Sequence, residues 1–279
     1  MPKITIITAA IGRPVLLDCV ASVARQTYRD IEHWVIADGS ERGELVSKYL
    51  SLQAAQPTVI VLPHPTGHSN YYSHRIYAAI PFLSDSDWIV YLDEDNWINP
   101  DHIESLITLA ECNNLDWAYS LRNITSQKGT FLCRDDCQSL GWWPAYDGGY
   151  CLVDSNCYLI KRSLAAKFST IWNRPAYEPG VETPDRALCQ YLFREHPYAF
   201  TTGLYTMNYR LGSHRSEEKD HAYFTKGNKA TAALYKKFPW TSLKLNGRSP
   251  THPSLNFIPS ASDRLHGEAV PAVAMTAGS

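Results

Sequence analysis

The amino-acid sequence predicts an α/β protein: a mostly parallel, Rossmann-like central sheet flanked by helices, followed by a smaller irregular half. Three observations carry this. Short apolar runs alternate with helix-period stripes through the first 120 residues, as a layered α/β domain requires. Each run ends in polar or glycine residues. From about Thr130 the alternation gives way to glycines, tryptophans and cysteines crowded between Cys133 and Tyr158, the texture of irregular pocket walls.

The elements follow in order. Ile4 to Thr8 is the first strand, and Pro14 opens a helix whose buried face is Val15, Leu16, Cys19, Val20 and Val23. His33 to Ala37 is the second strand, ending at the turn-forming Asp38-Gly39-Ser40. Thr58 to Leu62 is a third, closed by Pro63. Trp88 to Leu92 reads as a fully buried strand that runs straight into Asp93-Glu94-Asp95. After Pro100, Ile103, Leu106, Ile107 and Ala110 mark a helix, with Asn99 and Asp101 as its caps, and Asp116 to Leu121 a further strand. Thr183-Pro184 starts a helix, threonine as cap and proline in the first turn. Beyond Arg248 four prolines among serines and alanines predict a loosely packed or disordered tail over 248–279.

Composition excludes several function classes. A chain of 279 residues buries about three quarters of its unfolded surface and needs no staple to fold. Lysine and arginine total 26 against 28 acidic residues, so the basic footprint of a nucleic-acid partner is missing. The start, MPKITIITAA, has no long apolar core or cleavage pattern, and no stretch reaches 18 apolar residues. The expectation is a cytoplasmic protein with at most peripheral membrane contact. Seven cysteines, an odd number, predict reduced thiols. Cys133, Cys137, Cys151 and Cys157 lack a C-x-x-C knuckle, which argues against zinc.

Ligands of open α/β sheets bind beyond the carboxyl ends of strands, so the acidic triplet is the first place to look for chemistry. The strand pleat puts Asp93 and Asp95 on one side, a pair suited to a hard divalent cation that completes its shell with phosphate oxygens. The competing role is a solvated loop before the next helix.

The order ITIITAAIGRPVLLDCVASVARQTYRDIEHWVIADGS, then HRIYAAI, then WIVYLDEDNWINPDHI resembles the family 2 glycosyltransferases of the GT-A fold over about residues 3 to 110. The resemblance implies transfer of a sugar from a nucleoside-diphosphate sugar, a UDP-hexose, to an acceptor hydroxyl with inversion. It divides the chain into a nucleotide-sugar half (1–115) and an acceptor and catalytic-base half (116–247) of one domain. It implies that Thr8, Ala9, Ala10, Arg13 and Asp38 hold the nucleotide, that Arg75 faces the diphosphate, and that Asp93 and Asp95 carry Mn2+ or Mg2+ with Glu94 beside them. Ala37-Asp38 stands where the family has a pair of aspartates. YEPGVETPDRALCQYLF looks like the segment bearing the base, with Asp185 the first candidate and Glu182 the second. His214, in MNYRLGSHRS, is the candidate third metal ligand, with Tyr209 and Arg210 beside the diphosphate.

Trp142, Trp143, Tyr146 and Tyr150 fit either a stacking surface for a sugar ring or a packed satellite core. Asp154 and Asn156 fit hydrogen bonds to sugar hydroxyls, or a turn. A sugar-phosphate nucleotidyltransferase is disfavoured because TAAIGRPVLL has one glycine and no lysine, and a dehydrogenase because no G-x-G-x-x-G follows the first strand. A saccharide- or nucleotide-sugar-binding protein without turnover remains the rival from another class.

Overall fold

A computed structural model describes residues 1–234 apart from 53, 55, 142–145, 147–151, 178 and 213–215. Among the described residues nine strands form one sheet. They are β1 (Ile4–Ala10), β2 (Ile31–Ala37), β3 (Thr58–Val61), β4 (Trp88–Tyr91), β5 (Trp97–Ile98), β6 (Trp117–Thr125), β7 (Phe131–Arg134), β8 (Tyr158–Lys161) and β9 (Phe200–Arg210). The helices are α1 (Leu16–Ala24), α2 (Ser40–Leu50), α3 (His74–Leu83), α4 (His102–Cys112), α5 (Arg162–Lys167), α6 (Ser169–Trp172), α7 (Pro184–Glu195) and α8 (Glu217–Leu234).

The strand order is β3-β2-β1-β4-β8-β6-β9-β5, with β7 also on β6. The first four strands are parallel, as the βα alternation predicts. The second half is mixed: β8 runs antiparallel to β4 and β6, β7 to β6 and β5 to β9, and only β6 with β9 is parallel. Apart from the β6–β9 pair, the parallel character lies in the half where helices link successive strands.

β1 lies inside the sheet between β2 and β4, and all of its residues but Ala9 are buried, Thr5 and Thr8 included. A small core of Ala10, Leu16, Val20, Val35, Ala37, Val46 and Leu50 lies between β1, β2 and helices α1 and α2. The main core runs from Ile4 through Tyr91, Trp117 and Tyr158 to Met207 and joins both halves of the sheet.

Local details differ from the sequence reading. α1 begins at Leu16, with Pro14 in the turn before it. Neither Asn99 nor Asp101 caps α4 with its side chain. The Gln26 carboxamide, from the end of α1, accepts the Ile103 N–H at 3.0 Å and donates to the Asn99 carbonyl at 2.7 Å. Thr183 holds the N-cap position of α7, but its hydroxyl donates to Asp185 rather than taking a backbone N–H. Among the described residues no helix is long and apolar enough to cross a membrane.

Candidate donor and acceptor site

The site is assembled where β1, β2 and β4 end side by side. Thr8 is fully buried, and its hydroxyl meets His33 Nε2 at 3.0 Å and Cys19 Sγ at 3.5 Å, so only its backbone reaches the strand end. After Ala10 the chain turns through Gly12, whose φ of 80° and 2.7 Å approach of a notional Cβ to Leu45 Cβ demand glycine. Glu94 holds this turn. One carboxylate oxygen accepts the N–H groups of Ile11, Gly12 and Arg13 at 3.2, 3.2 and 3.4 Å, and the other accepts Arg13 Nε at 2.7 Å. The Arg13 guanidinium also lies 3.2 Å from Asp95, so it bridges two members of the acidic triplet.

Asp38 follows β2, its N–H bound to the Ala10 carbonyl at 2.9 Å. Its buried carboxylate gathers the Thr66 N–H and hydroxyl and the Gly67 N–H at 2.6, 2.8 and 2.9 Å. Arg75, in the first turn of α3, donates to the Thr66 carbonyl at 3.2 Å and stacks on Tyr71 with its guanidinium carbon 3.5 Å from the ring centre. Asp38 and Arg75 thus grip the same loop.

Asp93 accepts the Tyr77 hydroxyl on one oxygen at 2.6 Å and the Asn156 amide on the other at 2.8 Å, while its N–H binds Asn156 Oδ1 at 2.6 Å. Desolvation, then the charge of Asp95, pushes the Asp93 carboxyl up to about 6, against the lowering effect of those two donors. The Asp95 carbonyl accepts Arg210 Nε at 2.9 Å, and Arg210 is also tied to Asp18 and the Gln127 carbonyl. Arg210 is 6% exposed, so it braces the acidic loop from below.

Asp154 and Asn156, read from sequence as hydroxyl-binding, face the acidic triplet. Asn156 is 1% exposed; its amide donates to Asp93 and to Asp154, and Asp154 pairs with the buried Arg122. Trp142, Trp143, Tyr150 and His214 lie outside the described residues. Tyr146 packs edge-on against Tyr223 of α8, a satellite contact. Cys133, Cys137 and Cys157 are free thiols, and Cys151 lies outside the described residues.

The candidate bases sit at the start of α7. Asp185 accepts the Thr183 hydroxyl and the Arg186 N–H, and Glu182 accepts the Gln190 amide at 2.7 Å. Partial burial raises the Glu182 carboxyl from its ordinary value. The segment before α7 is joined to the Asp38 loop: the Ala176 N–H binds the Asn70 carbonyl at 2.7 Å, and His74 Nδ1 lies 3.1 Å from the Arg174 carbonyl.

Sequence reasoning passed over Tyr77, Arg122 and Asp135. Arg122 had a signal, a cation inside the apolar run of β6, whereas Tyr77 and Asp135 carry none without the fold.

The structure resembles that of S. aureus TarS 1–349 in complex with UDP-GlcNAc, with a TM-score of 0.55, 12% identity, and 77% of this chain and 60% of that chain covered. It resembles the same protein in complex with UDP, with a TM-score of 0.54, 12% identity, and 83% and 64% covered. The chain thus spans less than two thirds of either relative, and the likeness establishes a shared GT-A fold. None of the curated proteins compared with the chain matches it. The model of glycosyl transferase family 2 matches residues 5–148, more than half of the chain. With the acidic motif at the end of β4 and the arginine-bearing turn after β1, the chain belongs to glycosyl transferase family 2.

Proposed function

We propose that the protein moves a sugar from a UDP-hexose to an acceptor hydroxyl, with inversion at the anomeric carbon and the help of a divalent cation. The observation that carries this reading is the meeting of Glu94 and Asp95, next to Asp93 in the chain, with the Arg13 turn at the carboxyl ends of parallel strands. Family membership supports sugar transfer, and the solved S. aureus structures bound to UDP-GlcNAc and UDP support a uridine donor.

Asp93 and Asp95 would hold Mn2+ or Mg2+. The donor set fits such an ion. In the bonded cluster the carboxylates of Asp18, Asp93, Glu94, Asp95, Asp135 and Asp154 outnumber the guanidinium groups of Arg13, Arg122 and Arg210, so a diphosphate meets a field of its own sign. Among the described residues no group of three or more His, Cys, Asp and Glu is placed to hold a metal ion, and His214, the candidate third ligand, lies outside them. When bound, the cation stabilises charge on the departing diphosphate.

Arg13 and Arg75 orient the phosphates, a task that suits guanidinium forks. The acceptor oxygen bonds to the anomeric carbon as the bond from that carbon to the diphosphate oxygen breaks. The acceptor proton passes to Asp185, or to Glu182, whose raised pKa suits a base. A second reading, nucleotide-sugar or saccharide binding without turnover, rests on the buried Ala37 in place of the family's first aspartate.

Calorimetric titration of UDP, with GDP as control, in Mn2+ and in EDTA tests the reading. Metal-dependent UDP binding that Asp95→Asn abolishes is the expected result. No binding of either nucleotide to folded protein overturns it, and binding with no turnover of any UDP-sugar favours the second reading.

A further inference from the structure

Arg122 is 4% exposed, in a strand whose neighbours are almost all buried. Its three nitrogens are all engaged: Nε with Asp135 at 2.7 Å, one amino group with Asp154 and the other with Gln138 at 2.6 Å. The guanidinium lies 4.5 Å from the Tyr209 ring centre. Asp135 is itself fixed by the N–H groups of Cys137, Gln138 and Ser139 at 3.1, 2.8 and 3.0 Å. A cation this deep is not needed for stability alone, because well-packed apolar residues often replace buried ion pairs without loss. What an apolar residue cannot do is orient a carboxylate.

The orientation leads to the acidic motif. Asp154 turns one oxygen to Arg122 and the other to the N–H and side-chain amide of Asn156, both at 2.9 Å. That fixes which way the amide points. Its Oδ1 takes the Asp93 N–H and its Nδ2 donates to the Asp93 carboxylate. We propose that Arg122 is a positioning residue for Asp93, acting through Asp154 and Asn156 to set the direction in which the carboxylate is presented. This rests on the donor-site reading for its consequence, but not for the linkage itself.

Arg122→Lys keeps the charge and loses the fork. Asp154→Asn tests the next link, should the first variant fail to fold, and neither residue touches Asp93. Gln138→Met removes another Arg122 partner that lies off the path. Two quantities are read on folded protein: exchange of the Asp93 N–H by NMR, against the Leu92 N–H bound to the Ile7 carbonyl at 2.9 Å, and UDP affinity in Mn2+. Expected in Arg122→Lys and Asp154→Asn are exchange at Asp93 accelerated about tenfold relative to Leu92 and affinity about tenfold weaker. Gln138→Met lowers the melting temperature and leaves both readings unchanged. Unchanged exchange at Asp93 overturns the proposal, whether or not affinity falls. Faster exchange with wild-type affinity overturns its functional half. If the wild type binds no UDP, the donor-site reading fails and exchange alone decides whether Arg122 orients Asp93.

Discussion

The Glu94 carboxylate stands 2.7 Å from Arg13 Nε and, with its other oxygen, collects three consecutive N–H groups of the turn after β1. One side chain from the end of β4 therefore shapes the end of β1. Glu94→Gln keeps an acceptor and loses the charge. The expected cost is about 2 kcal/mol in urea unfolding, given that hydrogen bonds to charged groups each contribute about 1.5–3 kcal/mol. UDP affinity falls with it, and unchanged unfolding would show that the turn holds its own shape.

Gly12→Ala tests the same turn from the backbone. Its φ of 80° and the approach to Leu45 leave no room for a methyl group. A loss of about 2 kcal/mol is expected from left-handed strain and displacement of α2. Stability equal to wild type would mean that the turn takes another form.

His102 supplies a pH dependence. It is fully buried at the start of α4, with Nδ1 2.8 Å from the Thr206 hydroxyl and Nε2 without a hydrogen-bond partner among the described residues. Burial lowers its pKa from 6.5 to about 3. Between those values the unfolded chain binds the extra proton, so stability is fully present above about pH 6.5 and is lost as pH falls toward 3, by up to about 1.4 kcal/mol per pH unit. His102→Asn should flatten the acid limb of a stability-against-pH curve by about one proton. An unaltered slope would exclude His102 as its source.

The start of α7 is tested by transfer rates. Asp185→Asn or Glu182→Gln should lower acceptor-dependent transfer by about 10²–10⁴ while UDP affinity holds, the signature of a lost general base. If both variants transfer sugar at the wild-type rate, the base lies elsewhere.

The first half of the fold is legible because each strand of the parallel layer carries a short apolar stretch ended by a polar turn. Trp88 to Leu92 and the triplet after it stand out for that reason. The second half is not. Pairing of β6 with β9 matches Ala118 with Phe200 and Thr125 with Arg210, long-range contacts that no local period reports. The site divides in the same way. The acidic triplet stands out in the sequence, but β4 ends at Tyr91 and Glu94-Asp95 form a turn, so the strand pleat does not place Asp93 and Asp95, and the tasks of Glu94, Tyr77 and Asn156 depend on which chain ends the fold brings together.

The loop held by Asp38 bears on how such a protein can be recombined. Residues 66–74 fasten to the end of β2 through Thr66 and Gly67, and to the chain before α7 through Asn70 and His74. The sheet likewise passes from β4 to β8 without a break. The divide near residue 115 is therefore not a modular seam. A chimera that exchanges everything after it would strand half of the loop's fastenings, and an exchange that carries the 66–74 loop along with the later segment is the one that keeps both ends tied.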